Sequence, residues 1–326
     1  MNVTVLGAGA WGTALALVLH QNGHRIIMWG HDPVHLDTMR RTRGNESYLP
    51  GILFPEDWEF EAAAYRAVVG ADLVLMVVPS QAFRTVAQSL GTLKTPIVTA
   101  TKGIELESGL TMGGVLESCF PGLPVAALSG PSLAPEVARG VPTAVVAAAP
   151  DPDTAAHIQA AFHRPQFRVY RSTDRLGVEL GGALKNIIAI GAGVCDGLGF
   201  GDNSKAALVT RGQAEVRRLG VACGARPETF SGLSGLGDLT VTCFSKMSRN
   251  RRLGERLGHG ETLAQAVASS SSVAEGVPTT RSALRLAEAR GVEVPIIHEI
   301  HSMLFEAKDV RQGVRDLLAR DLKAED

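Results

Sequence analysis

The chain has 326 residues, 45% of them hydrophobic and 20% charged, more than one compact core usually serves, so two domains are expected. Its 32 Lys plus Arg are matched by 33 Asp plus Glu, which excludes a global charge field able to recruit nucleic acid or an anionic membrane; any anion recognition must be local. Four cysteines, Cys119, Cys195, Cys223 and Cys243, lack C-x-x-C spacing and read as buried thiols in a reducing compartment.

The N-terminus enters Val3-Thr4-Val5-Leu6 without a basic leader, and no apolar run approaches the roughly 18 residues of a membrane helix. Neither a targeting nor a spanning segment is expected, and the expected location is cytoplasmic. β-Branched runs at residues 3–6, 25–29, 73–78, 97–100, 125–128 and 143–147 are separated by helical patterning such as 13–20, 83–90 and 111–118. This alternation predicts a doubly wound, mainly parallel sheet with both faces covered. Residues 167–170 look like one more strand. After residue 172 the pattern changes: 176–194 reads as one long helix, and from Lys205 helix follows helix, with breaks at Gly220, Pro227, Gly260, Gly276 and Gly291.

Gly7-Ala8-Gly9-Ala10-Trp11-Gly12 follows the first strand and opens the helix near Thr13. Its glycines permit a tight turn, close approach of backbone to a pyrophosphate and packing of helix on strand, while the helix N-terminus faces the anion. The expected fold is therefore α/β: an N-terminal Rossmann-like doubly wound sheet, residues 1–172, binding a dinucleotide, then an all-helical C-terminal domain, residues 173–326, carrying substrate and catalysis. Sites specific for NAD usually carry an acid at the end of the second strand. Here that strand ends Trp29-Gly30-His31-Asp32-Pro33, and Asp32 reads as the N-cap of the next helix with Pro33 at its first position. The displaced acid favours NADPH, with NADH as the alternative; His31 is the residue placed to meet a ribose hydroxyl or phosphate.

In the second half, Gly181-Gly182-Ala183 within a helix implies that something approaches that face closely, and Lys185-Asn186 follow at once. The alternative is a packing seam with Lys185 snorkelling to water. In the loop before Lys205, Asp202 or Asn203 is expected to cap the next helix. Lys102 and Ser129-Gly130-Pro131-Ser132 each follow the carboxyl end of a strand, where open α/β sheets bind ligands. Gly235-Leu236-Gly237-Asp238 precedes Ser248-Arg249-Asn250, which marks a helix start and a ready anion site; Arg251 and Arg252 read as a solvated basic face. His298 and His301 flank Glu299 without an evident third ligand, so no metal is expected.

Together these segments carry a resemblance. Gly-Ala-Gly-x-Trp-Gly, Ala-Thr-Lys-Gly, Ser-Gly-Pro-Ser, Gly-Gly-Ala-Leu-Lys-Asn, Gly-Leu-Gly-Asp-Leu, Ser-Arg-Asn-Arg and Val-Ala-Glu-Gly, in this order over nearly the whole chain, resemble the bacterial NAD(P)-dependent glycerol-3-phosphate dehydrogenases. The resemblance implies that the glycine loop with Ala10, Trp11, His31 and Ala134 lines the cofactor site, joined by Arg249, Val273 and Glu275. It implies that Gly130, Ser132, Asp238, Ser248, Arg249 and Asn250 surround glycerol phosphate, that Lys102 touches both ligands, and that Lys185 handles the proton. Many members carry Ser in place of Ala10 and Arg near His31. NADPH or NADH would reduce dihydroxyacetone phosphate to sn-glycerol 3-phosphate for phospholipid synthesis. The expected partners are that small-molecule substrate and a second copy of the chain, with no nucleic acid. Two other readings stand beside it: another reductase with a Rossmann domain followed by a helical domain, acting on a β-hydroxy acid or ketopantoate, which would recognise a carboxylate, and a non-catalytic dinucleotide sensor.

Overall fold

The computed structural model describes residues 1–268 and 274–321, so Val273 and the serine run at 269–272 lie outside the described residues. The chain divides into two compact units, Met1–Glu105 with Leu110–Glu179, and Leu106–Gly109 with Leu180–Asp326.

The first unit holds the strands β1 (Asn2–Leu6), β2 (Arg25–Trp29), β3 (Gly44–Asn45), β4 (Leu49–Leu53), β5 (Glu59–Glu61), β6 (Leu73–Met76), β7 (Ile97–Thr99), β8 (Val125–Ser129), β9 (Thr143–Ala148) and β10 (Phe167–Ser172). Its helices are α1 (Ala10–Gln21), α2 (Pro33–Thr42), α3 (Ala64–Ala67), α4 (Phe83–Ser89), α5 (Met112–Cys119), α6 (Ala134–Ala138) and α7 (Pro152–Phe162). Eight strands form one sheet in the order β10-β9-β8-β7-β6-β1-β2-β5, parallel throughout except where β9 meets β8. The two-residue side-chain period sorts the core onto the sheet's two faces. Val3, Val5, Leu73 and Leu75 pack with Leu15 and Val18 of α1, whereas Leu6, Val74 and Met76 pack with Phe83 of α4 and Leu116 of α5.

The order reverses between β1 and β6, so the loop after β1 lies at the switch point where open α/β sheets hold ligands. β3 and β4 form a separate antiparallel pair, and β5 extends the sheet edge beside β2. Pro50, Gly51 and Pro55 hide these short elements from a reading by pattern, and the three-residue β5 is too brief to show a period.

The long helix α8 (Arg175–Gly197) passes from one unit into the other. It is long and apolar enough, by length and composition, to cross a membrane, which corrects the expectation of no such run; its whole apolar window is buried, the setting of a core helix. The second unit continues with α9 (Asp202–Ala222), α10 (Asp238–Phe244), α11 (Arg249–Gly258), α12 (Leu263–Ala268), α13 (Gly276–Arg290), α14 (Pro295–Phe305) and α15 (Val310–Leu318). Two local expectations fail. Gly220 does not break the chain: it lies within α9, where an added Cβ would sit 2.0 Å from the Phe230 ring. Asp202 and Asn203 do not cap α9; extended Gly201 holds the cap position and Asp202 opens the first turn, where its charge favours the helix dipole.

Candidate active site

The three loop glycines have different tasks. Gly7 adopts φ +136°, and a Cβ there would lie 2.2 Å from the Val77 carbonyl oxygen; a Cβ on Gly12 would lie 1.9 Å from the Gly7 carbonyl oxygen. Both are demanded by the packing of strand, turn and helix. Gly9 instead faces open space, with nothing within 4 Å of an added Cβ. It caps α1 without a side-chain hydrogen bond, so the first-turn amides of Ala10, Trp11 and Gly12, which have no carbonyl a turn earlier, form a cradle of open donors. Trp11 Nε1 is buried with no hydrogen-bond partner. This set of donors fits a dinucleotide pyrophosphate. Ala134 opens α6, which packs on α1.

At the end of β2, His31 is exposed, and Asp32 accepts a 2.9 Å hydrogen bond from Val34 N. The acid is thus committed to capping α2. On the far side of β1, Lys102 and Ser132 converge: Lys102 Nζ donates to the Gly130 carbonyl at 3.1 Å and Ser132 Oγ at 2.9 Å. Gly130 takes φ +136°, and a Cβ there would lie 3.0 Å from Val145 Cα, which ties its backbone to β9.

In the second unit the glycine-rich face of α8 meets a chain segment as its composition implied. A Cβ on Gly181 would lie 2.8 Å from the Ser234 carbonyl oxygen. That segment, Leu233–Gly237, coils as a single π turn and delivers Asp238 at the start of α10. Lys185 does not snorkel. It is 6% exposed, it pairs with Asp238, which is 1% exposed, and it donates to Thr242 Oγ1 at 2.6 Å. Lysine is almost never buried without a partner, so the carboxylate holds both the charge and the position of Nζ. Thr242 stands one turn after Asp238 and donates in turn to the Asp238 carbonyl at 2.6 Å. Sequence reading missed Thr242, although its i, i+4 spacing from Asp238 was a usable signal.

Ser248 caps α11, its Oγ accepting from Arg251 N at 3.2 Å, which leaves the Arg249 and Asn250 amides as the open donors of that terminus. Arg249 is exposed; the protein packed around it pulls its guanidinium pKa down, an effect that Glu275 opposes, and with solvent at hand it stays charged. Asn250 is buried and structural in part: Nδ2 donates to Asn186 Oδ1 and Oδ1 accepts from Gly276 N, both at 2.9 Å. It therefore ties α11 to α8 and to α13, which begins after Glu275. Asn186 is a second residue to which sequence reading gave no role.

Arg251 corrects the expectation of a solvated face. It is 6% exposed, with Asp196 at 2.6 Å and Glu255 at 3.1 Å, whereas Arg252 is exposed as expected. All four cysteines are free; burial pushes the thiol of Cys195 up to about 11 and that of Cys243 up to about 12, which makes both inert. His298 is exposed and His301 lies 3.2 Å from Glu306; among the described residues no group of three or more His, Cys, Asp or Glu could hold a metal.

Within the first unit, then, stand the glycine loop, His31, Lys102, Gly130, Ser132 and Ala134, and within the second Lys185, Asp238, Ser248, Arg249, Asn250 and Glu275. Residues 2–155 match the N-terminus of NAD-dependent glycerol-3-phosphate dehydrogenase, and residues 174–315 match its C-terminus. A glycerol-3-phosphate dehydrogenase [NAD(P)+] from Chlorobium luteolum is 47% identical over 331 aligned residues, covering 100% of this chain and 99% of that one. The enzyme of the same name from a Geobacter strain is 49% identical over 329, covering 99% and 98%. The crystal structure of glycerol-3-phosphate dehydrogenase from Coxiella burnetii, 39% identical, superposes with a TM-score of 0.94 and covers 98% of this chain and 99% of its own. The chain belongs to the NAD-dependent glycerol-3-phosphate dehydrogenase family.

Proposed function

We propose that this chain reduces dihydroxyacetone phosphate reversibly to sn-glycerol 3-phosphate with NADPH or NADH, and that Lys185 gives and takes the proton at the C2 oxygen. The observation that carries the assignment is the buried Lys185–Asp238–Thr242 set, whose lysine stands on a helix with glycines that admit close approach. The reduced nicotinamide supplies the hydride when bound. Lys185 protonates the alkoxide that develops as the carbonyl is reduced, and Asp238 and Thr242 hold its ammonium in one place so that no reorganisation is needed at that moment. In the reverse direction the same nitrogen accepts the proton.

The phosphate needs a separate clamp. Arg249 brings an exposed charge to the α11 terminus, whose open amides and dipole favour a dianion. Lys102, Gly130 and Ser132 supply a second polar set, and the cradle at Gly9 to Gly12 takes the pyrophosphate. With Asp32 capping α2, His31 is left as the residue to meet the adenosine ribose, so NADPH is used at least as well as NADH. Residues 1–172 are the dinucleotide-binding domain and 173–326 the substrate domain. A homodimer, a cytoplasmic location and the supply of glycerol phosphate to phospholipid synthesis belong to the same reading.

The test is cofactor oxidation, followed at the nicotinamide absorbance band, with dihydroxyacetone phosphate, unphosphorylated dihydroxyacetone and ketopantoate offered in parallel. Rapid oxidation with the first substrate alone is expected. Preference for the carboxylate substrate, or cofactor binding without oxidation of any, would contradict the assignment.

A further inference from the structure

The phosphate clamp and the proton donor sit on two helices whose separation is set by neither of them. α8 carries Lys185, α11 begins at Arg249, and the two lie backbone to backbone over a seam of four glycines. A Cβ on Gly193 would lie 1.9 Å from the Arg251 carbonyl oxygen, and one on Gly197 2.2 Å from that of Glu255. From the other side, a Cβ on Gly254 would lie 1.9 Å from the Ile190 carbonyl oxygen and one on Gly258 2.8 Å from that of Val194. Each helix thus presents glycines four residues apart, one ridge into the other, and no methyl group fits between them. Such a seam fixes the distance between the helices but leaves them free to slide, because bare backbone has no knob to lock the register.

The lock is ionic. Asp196 lies about three helical turns beyond Lys185 on the same face of α8. Its carboxylate is held by Arg251 and Lys205, each at 2.6 Å; Arg251 reaches it from the first turn of α11, two residues after Arg249. Arg251 and Lys205 are 6% and 7% exposed, and Lys205 also lies over the Phe244 ring, 5.1 Å from its centroid. At the other end of the seam, the Asn186–Asn250 hydrogen bond joins the residue after Lys185 to the residue after Arg249.

We infer that the Asp196–Arg251 pair is a positioning device: with the glycine seam it fixes α11 along α8, and so sets where Arg249 stands relative to Lys185. Neither residue touches substrate; each acts through Arg249. The inference rests on the proposed phosphate clamp, and its test separates the two.

Steady-state kinetics with dihydroxyacetone phosphate and with unphosphorylated dihydroxyacetone are measured for Asp196→Asn, Arg251→Lys and Arg249→Ala. Asp196→Asn is expected to raise KM for the phosphorylated ketone about 10-fold, with kcat changed less and kcat/KM for dihydroxyacetone held within about 2-fold. Arg251→Lys keeps a cation beside Asp196 but loses the fork, and about a 3-fold rise is expected. If Asp196→Asn does not fold, the lysine variant decides. An unchanged KM for the phosphorylated ketone, or equal losses on both ketones as for a merely structural pair, overturns the inference. Should Arg249→Ala itself lose nothing selectively on the phosphorylated ketone, the clamp fails; if it does and the Asp196 and Arg251 variants do not, the positioning device alone fails.

Discussion

Lys185 and Asp238 form an ion pair in which the lysine is 6% exposed and the aspartate 1%. Removing one member takes the opposite charge away from the other in a buried setting, which costs about 3–5 kcal/mol. Asp238→Asn, nearly the same size, is therefore expected to lose stability of that order as well as activity. Urea unfolding of the two proteins checks this; equal midpoints with unchanged slopes would show that Lys185 finds another counter-charge.

The glycine loop separates folding from binding. Gly12→Ala and Gly7→Ala force a methyl group against backbone oxygen and should destabilise the first unit by several kcal/mol, on the scale of other severe core changes. Gly9→Ala meets nothing and should fold normally, and on the proposed reading its methyl group enters the pyrophosphate cradle, so cofactor binding is expected to weaken about 10-fold or more. Thermal unfolding and cofactor titration on the same three variants give the comparison, and a Gly9 variant of normal affinity would move the pyrophosphate elsewhere.

His31 is exposed at the end of β2, and the neighbouring Asp32 is engaged in capping α2. A charge-assisted hydrogen bond contributes about 1.5–3 kcal/mol, so His31→Arg should raise the ratio of kcat/KM for NADPH over NADH by about 10-fold or more. His31→Ala should lower it. Ratios that stay the same in both variants would take His31 out of the adenosine site.

Much of this was legible beforehand because it rests on local rules. The β1-glycine loop-α1 unit shows itself through strand period and turn chemistry, and Asp32 and Ser248 announce helix starts by their capping side chains. What the sequence concealed depends on tertiary neighbours. Arg251 looks like any basic residue of an amphipathic helix until α8 brings Asp196 to it, and Gly220 looks like a break until the Phe230 ring is seen against it. The membrane-like apolarity of α8 was missed because Lys185 and Asp196 interrupt it, and both are paired inside the fold.

Glu215 provides a pH signature. Burial pushes its carboxyl up to about 7, opposed by hydrogen bonds from Ile296 N and Ile297 N at 2.8 and 3.2 Å. The folded state therefore binds the proton more tightly than the unfolded chain, and stability declines as pH rises from about 4.5 towards 7, then levels off, by about 3 kcal/mol in all. Glu215→Gln cannot ionise, so its unfolding free energy should lack this slope. A wild-type curve that is flat or rises across the window would contradict the placement of this charge.

We propose Lys185 as the group that handles the proton in the reduction of dihydroxyacetone phosphate. The most direct test is Lys185→Ala in a single-turnover reduction, with cofactor affinity titrated on the same preparation. Cofactor affinity should stay within about 2-fold while the hydride-transfer rate falls about 10² to 10⁴-fold, the usual share of a general acid or base. A variant that turns over at the wild-type rate would contradict the account and assign the proton to another group.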